Sequence, residues 1–149
     1  MSGLYLEDLS VGGVFRSEAL TITEAEIIAY AQTYDPQPFH TDPEAAKSTF
    51  FGGLAASGWQ TAGLTMRLLV TSGIPLAEGI IGAGGEISWP RATRPGDVLH
   101  VESTLTKIVP SWSKPDQAMV TAENLTVNQE GDVVQRFVSK LVVKRRATT

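Results

Sequence analysis

The sequence predicts an α+β fold in which one buried helix is followed by long antiparallel strands that wrap it. Three observations predict this. The stretch from Ser57 to about Thr71 is apolar nearly all round, with Trp59, Ala62, Gly63, Met66, Leu69 and Val70 on one side and Leu64 and Leu68 on the other. A helix of that kind is surrounded by protein. From Ile80 onward the character is β: Leu99, Val101, Ser103 and Leu105 alternate with His100, Glu102 and Thr104, the period of a half-buried strand. Arg94-Pro95-Gly96-Asp97 and Gln129-Glu130-Gly131-Asp132 then supply the turns between such runs.

In chain order, Leu4–Leu9 leads to the Gly12-Gly13 turn and a strand from Val14 to about Ile22. Thr23 opens a capping box with Glu26, and Ile27, Tyr30, Ala31 and Tyr34 follow at helical spacing, so a helix is expected over 24–33. It delivers the chain into Asp35-Pro36-Gln37-Pro38-Phe39-His40. Asp42 with Pro43 at the first position, or a capping box of Thr41 with Glu44, then opens a short helix that ends before Gly52-Gly53. Ser57 caps the long helix, and Ser72-Gly73 and Pro75 stop it. The strands are expected over 80–89, from 99 to about 105, over 118–128 and over 133–144.

A chain of 149 residues is the size of a single domain, 1–149, with a real core. Sixteen acidic against twelve basic residues give a net charge of −4 and no basic face for nucleic acid. The absence of cysteine excludes disulfides, thiolate nucleophiles and cysteine metal sites, and two histidines argue against a histidine-rich metal centre. The start, Met1 to Asp8, lacks the basic and apolar regions of a signal peptide, and no run approaches the ~20 apolar residues of a membrane span. The cytoplasm is the expected location.

The segment with chemistry in it is Asp35–His40. An acid stands five positions before one of the two histidines, and the prolines between them stiffen the backbone. A carboxylate and an imidazole on a stiff loop suit general acid–base work near neutral pH. The other candidates have plainer readings. His100 lies on the polar side of its strand, exposed or paired; Trp59, Trp89 and Trp112 read as core or loop anchors. Gly84-Gly85 reads as strand crowding, and Arg91, Arg94, Lys114 and the Lys144-Arg145-Arg146 run as solvated charges rather than phosphate ligands.

Three ordered motifs resemble the MaoC-like dehydratases, which include the (R)-specific enoyl-CoA hydratases: Asp35-Pro36-Gln37-Pro38-Phe39-His40, Phe51-Gly52-Gly53-Leu54-Ala55-Ala56-Ser57-Gly58-Trp59, and Trp89-Pro90-Arg91-Ala92-Thr93-Arg94-Pro95-Gly96-Asp97. The Ser111–Pro115 loop is of a familiar type too. Three positions depart from the family: Gln37 stands where asparagine is commoner, Ser57 where many members carry histidine, and Met66 where some carry serine.

The resemblance implies the hot-dog fold and reversible addition of water to a trans-2-enoyl thioester. It makes Asp35 and His40 the catalytic pair. It implies no metal or redox cofactor, coenzyme A or an acyl carrier entering with the substrate, and a homodimer with the site at the subunit boundary. Gly58 suits the thioester oxygen, because an N–H in the first helical turn lacks an intrahelical partner and lies at the positive dipole end. Such a donor is worth ~3 kcal/mol. Ser57 is foremost a cap, with substrate contact its second role. A hot-dog thioesterase is the alternative enzyme, although Ser57–Ser72 holds no carboxylate; a noncatalytic acyl-thioester-binding subunit is the other alternative.

Overall fold

The computed structural model describes residues 3–148; Met1, Ser2 and Thr149 lie outside the described residues, and with them the start of the N-terminal segment read above. Four helices, α1 (Glu24–Tyr34), α2 (Pro38–Thr41), α3 (Pro43–Ala46) and α4 (Gly58–Leu68), accompany six strands: β1 (Val14–Arg16), β2 (Leu20–Thr21), β3 (Gly82–Ser88), β4 (Val98–Pro110), β5 (Gln117–Val127) and β6 (Val133–Lys144). All pair antiparallel in the order β1-β4-β5-β6-β3, with β2 also on β4. The sheet carries α4 on its core face. This is the hot-dog arrangement.

The expected strand over 14–22 is two short ones. Ser17 breaks it: its N–H donates to the Val101 carbonyl at 2.9 Å while its hydroxyl accepts from the Val101 N–H at 2.8 Å. A side chain takes a place in the ladder, and the register against β4 moves by one residue between Arg16↔Glu102 and Leu20↔Leu99. The α1 capping box forms as read, Thr23 with Glu26, but Tyr34 is exposed rather than part of the buried stripe of Ile27 and Ala31. β4 runs on to Pro110, beyond the expected end near residue 105.

The larger difference lies in α4. Its buried residues are Gln60, Thr61, Thr65 and Leu68, whereas Trp59, Met66 and Val70 are 61%, 41% and 56% exposed. Of the apolar stripe expected to be enclosed, Trp59, Met66 and Val70 therefore face outward, while Leu69 is buried. The sheet beneath supplies the reason: Thr126, Gln135 and the loop residue Thr93 offer polar partners, so the polar side of the helix turns in. Thr65 Oγ1 meets Thr126 Oγ1 at 2.6 Å, and Thr61 Oγ1 donates to Thr93 Oγ1 at 3.1 Å. The helix also ends earlier than the expected Thr71, passing at Leu69–Gly73 into one π turn. There the hydroxyls of Thr71 and Ser72 donate to the carbonyls of Arg67 and Leu68, competing with the helical ladder.

Two apolar clusters hold the layers together. One packs Leu68, Leu69 and Ile74 against Val101, Leu105 and Val120 of the sheet. The other joins Ile22 and Ile27 to Leu54 and Ala56, with Phe39 and Leu64 against it, and so lies beneath the Asp35–His40 segment. Arg94, read as a solvated charge, is a clamp instead. Its guanidinium donates to the carbonyls of Phe51, Gly53 and Leu54 and pins the approach to α4. The terminal cations are tied down as well: Lys144 pairs with Asp116 and Arg146 with Asp8, both at 2.7 Å.

Candidate active site

Three segments meet at the start of α4. The first is the one the sequence singled out, except that its second half is a helical turn, α2, with Pro38 at its first position. Pro38 fixes φ where a helix begins and has no N–H to leave unpaired. The turn places His40 inward, 5% exposed. The second segment is the stretch from Leu54 to Ser57. Ala55 donates its N–H to the Phe39 carbonyl at 3.0 Å, and its carbonyl lies 2.6 Å from His40 Nδ1. The third is the chain from Trp89 to Thr93, joined by the Ala56 N–H donating to the Thr93 carbonyl at 2.8 Å.

The Ala55 contact fixes the tautomer. A carbonyl only accepts, so Nδ1 carries the hydrogen and Nε2 of the neutral ring keeps a free lone pair. Nε2 lies 3.4 Å from Asp35 Oδ2. Two acceptors at that separation do not bond one another, but both can accept a hydrogen from a single water.

The other oxygen of Asp35, Oδ1, accepts from the Gln37 amide at 2.6 Å. Burial pushes the Asp35 carboxyl up, but the Gln37 hydrogen bond and the neighbouring Ser57 and His40 side chains outweigh it, so the carboxyl sits below its ordinary 3.8. Because the folded value lies below the unfolded one, the ionised group adds stability that is present above about pH 4 and is lost as pH falls through the folded value. Gln37→Ala is expected to raise the Asp35 titration followed by carboxyl NMR. The urea-stability gap between wild type and variant should narrow from pH 7 to pH 3. A titration unmoved by the substitution would take this role from Gln37.

Ser57 is wholly buried and does not line the cavity. Its oxygen accepts from the Trp59 N–H at 3.3 Å. The cap expected of it is formed. Gly58 follows at the first position of α4, and its N–H has no partner among the described residues. It lines a cavity of about 280 Å³ together with His40, Phe51, Thr61, Trp89 and Arg91. A Cβ at position 58 would come within 2.6 Å of the Trp89 ring, so only glycine fits under that indole. Further along α4 a second cavity, about 300 Å³, is bounded chiefly by Met66, Leu69, Ile80, Phe137 and Leu141.

The remaining candidates sort plainly. His100 Nε2 meets Glu102 at 2.7 Å, the paired state its strand position suggested. Trp112 is 96% exposed, contrary to its reading as a core or loop anchor. Gly85 is crowded as read, since a Cβ there would lie 2.5 Å from the Val138 carbonyl oxygen. Arg91 pairs with Asp132 at 3.6 Å at the cavity mouth. Among the described residues no group of three or more histidine or carboxylate side chains could hold a metal ion, and no helix is long and apolar enough to cross a membrane. Sequence reading missed the Ala55 carbonyl and the walls Thr61 and Trp89; only the order Trp89-Pro90 after a strand hinted at the last.

The family model of the MaoC like domain matches residues 10–129, and the chain belongs to that family. A crystal structure of a MaoC-like dehydratase from Rhodospirillum rubrum is 61% identical and superposes with a TM-score of 0.97 over 98% of this chain and 100% of that one. The (R)-hydratase from A. caviae involved in PHA biosynthesis is 26% identical, with a TM-score of 0.72 over 94% of this chain and 99% of that one. An uncharacterized Bacillus subtilis protein, YdeM, is 28% identical over 144 residues, covering 94% of this chain and 99% of its own.

Proposed function

We propose that the protein hydrates trans-2-enoyl thioesters reversibly, giving (R)-3-hydroxyacyl products, with Asp35 and His40 as the catalytic pair. The observation that carries this is the pair itself: a tautomer-fixed Nε2 lone pair 3.4 Å from a carboxylate oxygen, with His40 lining the same cavity as Gly58 and its free N–H. Asp35 and His40 hold one water between them. Its oxygen bonds to the β-carbon, its proton passes to the pair, and a proton from the pair reaches the α-carbon, so that one water is added across the double bond. Charge developing on the thioester oxygen meets the Gly58 N–H at the positive end of α4. The residues call for no metal or redox cofactor; coenzyme A or an acyl carrier belongs to the substrate, and the second cavity suits a hydrocarbon tail. The cytoplasm, where acyl thioesters are made and used, is the location that fits. Hot-dog thioesterases commonly carry a carboxylate on the central helix, and α4 has none.

Crotonyl-CoA and a medium-chain enoyl-CoA, followed at once for conjugated-enoyl absorbance and free thiol, test the reaction. Loss of absorbance without thiol supports hydration. Thiol release would replace it with thioesterase activity, and no change in either would leave a binding subunit.

The same reading takes the working unit to be a homodimer. Trp59, Met66 and Val70 lie outward on α4, and β3 is an unpaired edge of the sheet. A second copy that pairs β3 with β3 covers both, hiding an edge that would otherwise template aggregation. Val70→Glu is expected to shift the protein towards monomer in sedimentation velocity. A wild type that sediments as a monomer at micromolar concentration would exclude the dimer.

A further inference from the structure

Gln135 is wholly buried on the core face of β6, where an aliphatic residue would be the ordinary choice. Both ends of its amide are used. Nε2 donates to Thr65 Oγ1 at 2.9 Å, and Oε1 accepts from the Trp89 indole Nε1–H at 3.0 Å. The threonine pair does not need the amide oxygen, since Thr65 and Thr126 already share a hydrogen bond. That oxygen therefore serves Trp89. The indole it holds lies flat enough on Gly58 to exclude any Cβ there, faces the cavity beside His40, and stands edge-on to Trp59 with ring centroids 5.4 Å apart.

We propose that Trp89 is the wall against which the acyl thioester is held beside the Gly58 N–H, and that Gln135 is a positioning residue that sets the angle of this wall from inside the sheet. The identity of the ligand rests on the hydratase reading; the latch itself does not. An indole attached only through its own χ angles can swing over the cavity, whereas a hydrogen bond from a rigid strand fixes the ring plane. The wall touches ground state and transition state alike, so loosening it raises KM and leaves kcat nearly unchanged.

The test uses the full chain with butanoyl-CoA, a saturated ligand that cannot be hydrated, and with crotonyl-CoA. Gln135→Met is expected to weaken butanoyl-CoA binding and raise KM about tenfold, the worth of one lost hydrogen bond. In a Trp89→Phe background, which has no indole N–H to hold, the same substitution should add nothing. Additive losses in this double-mutant cycle would reduce Gln135 to a core residue and overturn the proposal.

If Gln135→Met does not fold, the wild type decides by NMR. The Trp89 indole N–H should exchange with solvent far more slowly than that of Trp112 and shift on adding butanoyl-CoA; exchange as fast as Trp112, or no shift, overturns the proposal. Binding without hydration would end the hydratase reading alone. Failure of the wild type to bind butanoyl-CoA would end both.

Discussion

Asp35→Asn and His40→Asn are each expected to lower the rate of enoyl-CoA hydration by about 10²–10⁴-fold, the range for losing one positioned acid–base group. The two losses have different structural accompaniments. Asparagine at position 35 keeps an oxygen for the Gln37 amide, so the loop should hold and KM should change little. At position 40 the imidazole is also the donor to the Ala55 carbonyl, at 2.6 Å, and packs edge-on to Phe39 with centroids 4.6 Å apart. His40→Asn should therefore also cost about 1–3 kcal/mol of stability, the penalty of a buried polar group left unpaired. Steady-state kinetics beside urea melts check both statements. Near-wild-type turnover in either variant would remove that residue from the mechanism. The double variant should be little slower than the worse single one, because residues that act on one water act as a unit.

Gly58→Ala is the second large effect, and it comes from shape rather than from a lost group. The new Cβ would stand 2.6 Å from Cε2 of Trp89 and 2.8 Å from two more ring atoms, closer than real Cβ contacts come. Either the indole is pushed across the cavity or the first turn of α4 retreats. Overpacking of this kind costs about 1–3 kcal/mol. Misplacing the Gly58 N–H by about an ångström costs roughly a hundredfold in rate, while a displaced wall raises KM. Trp89→Ala removes the obstacle, so Gly58→Ala made in that background should recover most of the stability but not the substrate affinity, since the wall is gone. Stability loss undiminished in the Trp89→Ala background would show that the collision with the indole is not the cause.

The parts of this molecule legible in the sequence are those decided locally. The capping box of Thr23 and Glu26, the Asp42 cap with Pro43 behind it, the Ser57 cap and the Arg94–Asp97 turn all formed where residue chemistry placed them. In each, a side chain meets backbone within a few positions, and no distant partner is needed. The alternating strands were legible for a related reason, since period-2 burial is set by which face meets the core. β6 kept the bounds read for it and β5 shifted by a single residue at each end.

The candidate site was half legible. Asp35 and His40 stood out by type and spacing, and Gly58 by its place at a helix start. What joins them did not, because the Ala55 carbonyl, the Trp89 indole and the buried amide of Gln135 come from segments far apart along the chain. The direction of α4 was misread for the same reason. Apolar residues on two sides of a helix say that something covers it, but not which side meets its own sheet. That was decided by Thr126, Gln135 and Thr93, whose polar groups draw Thr61 and Thr65 inward and leave Trp59, Met66 and Val70 to the outside.

By itself, then, the sequence determined the order of elements, their caps and turns, the acid–histidine pair and the family likeness carried by its three motifs, all of which depend on neighbours within a turn or a strand. Only the tertiary structure decided which nitrogen of His40 is free, how Asp35 is held below its ordinary value, and why residue 58 must be glycine. Those properties are distances between atoms of remote segments, and a linear pattern does not contain them until the sheet has closed over the helix.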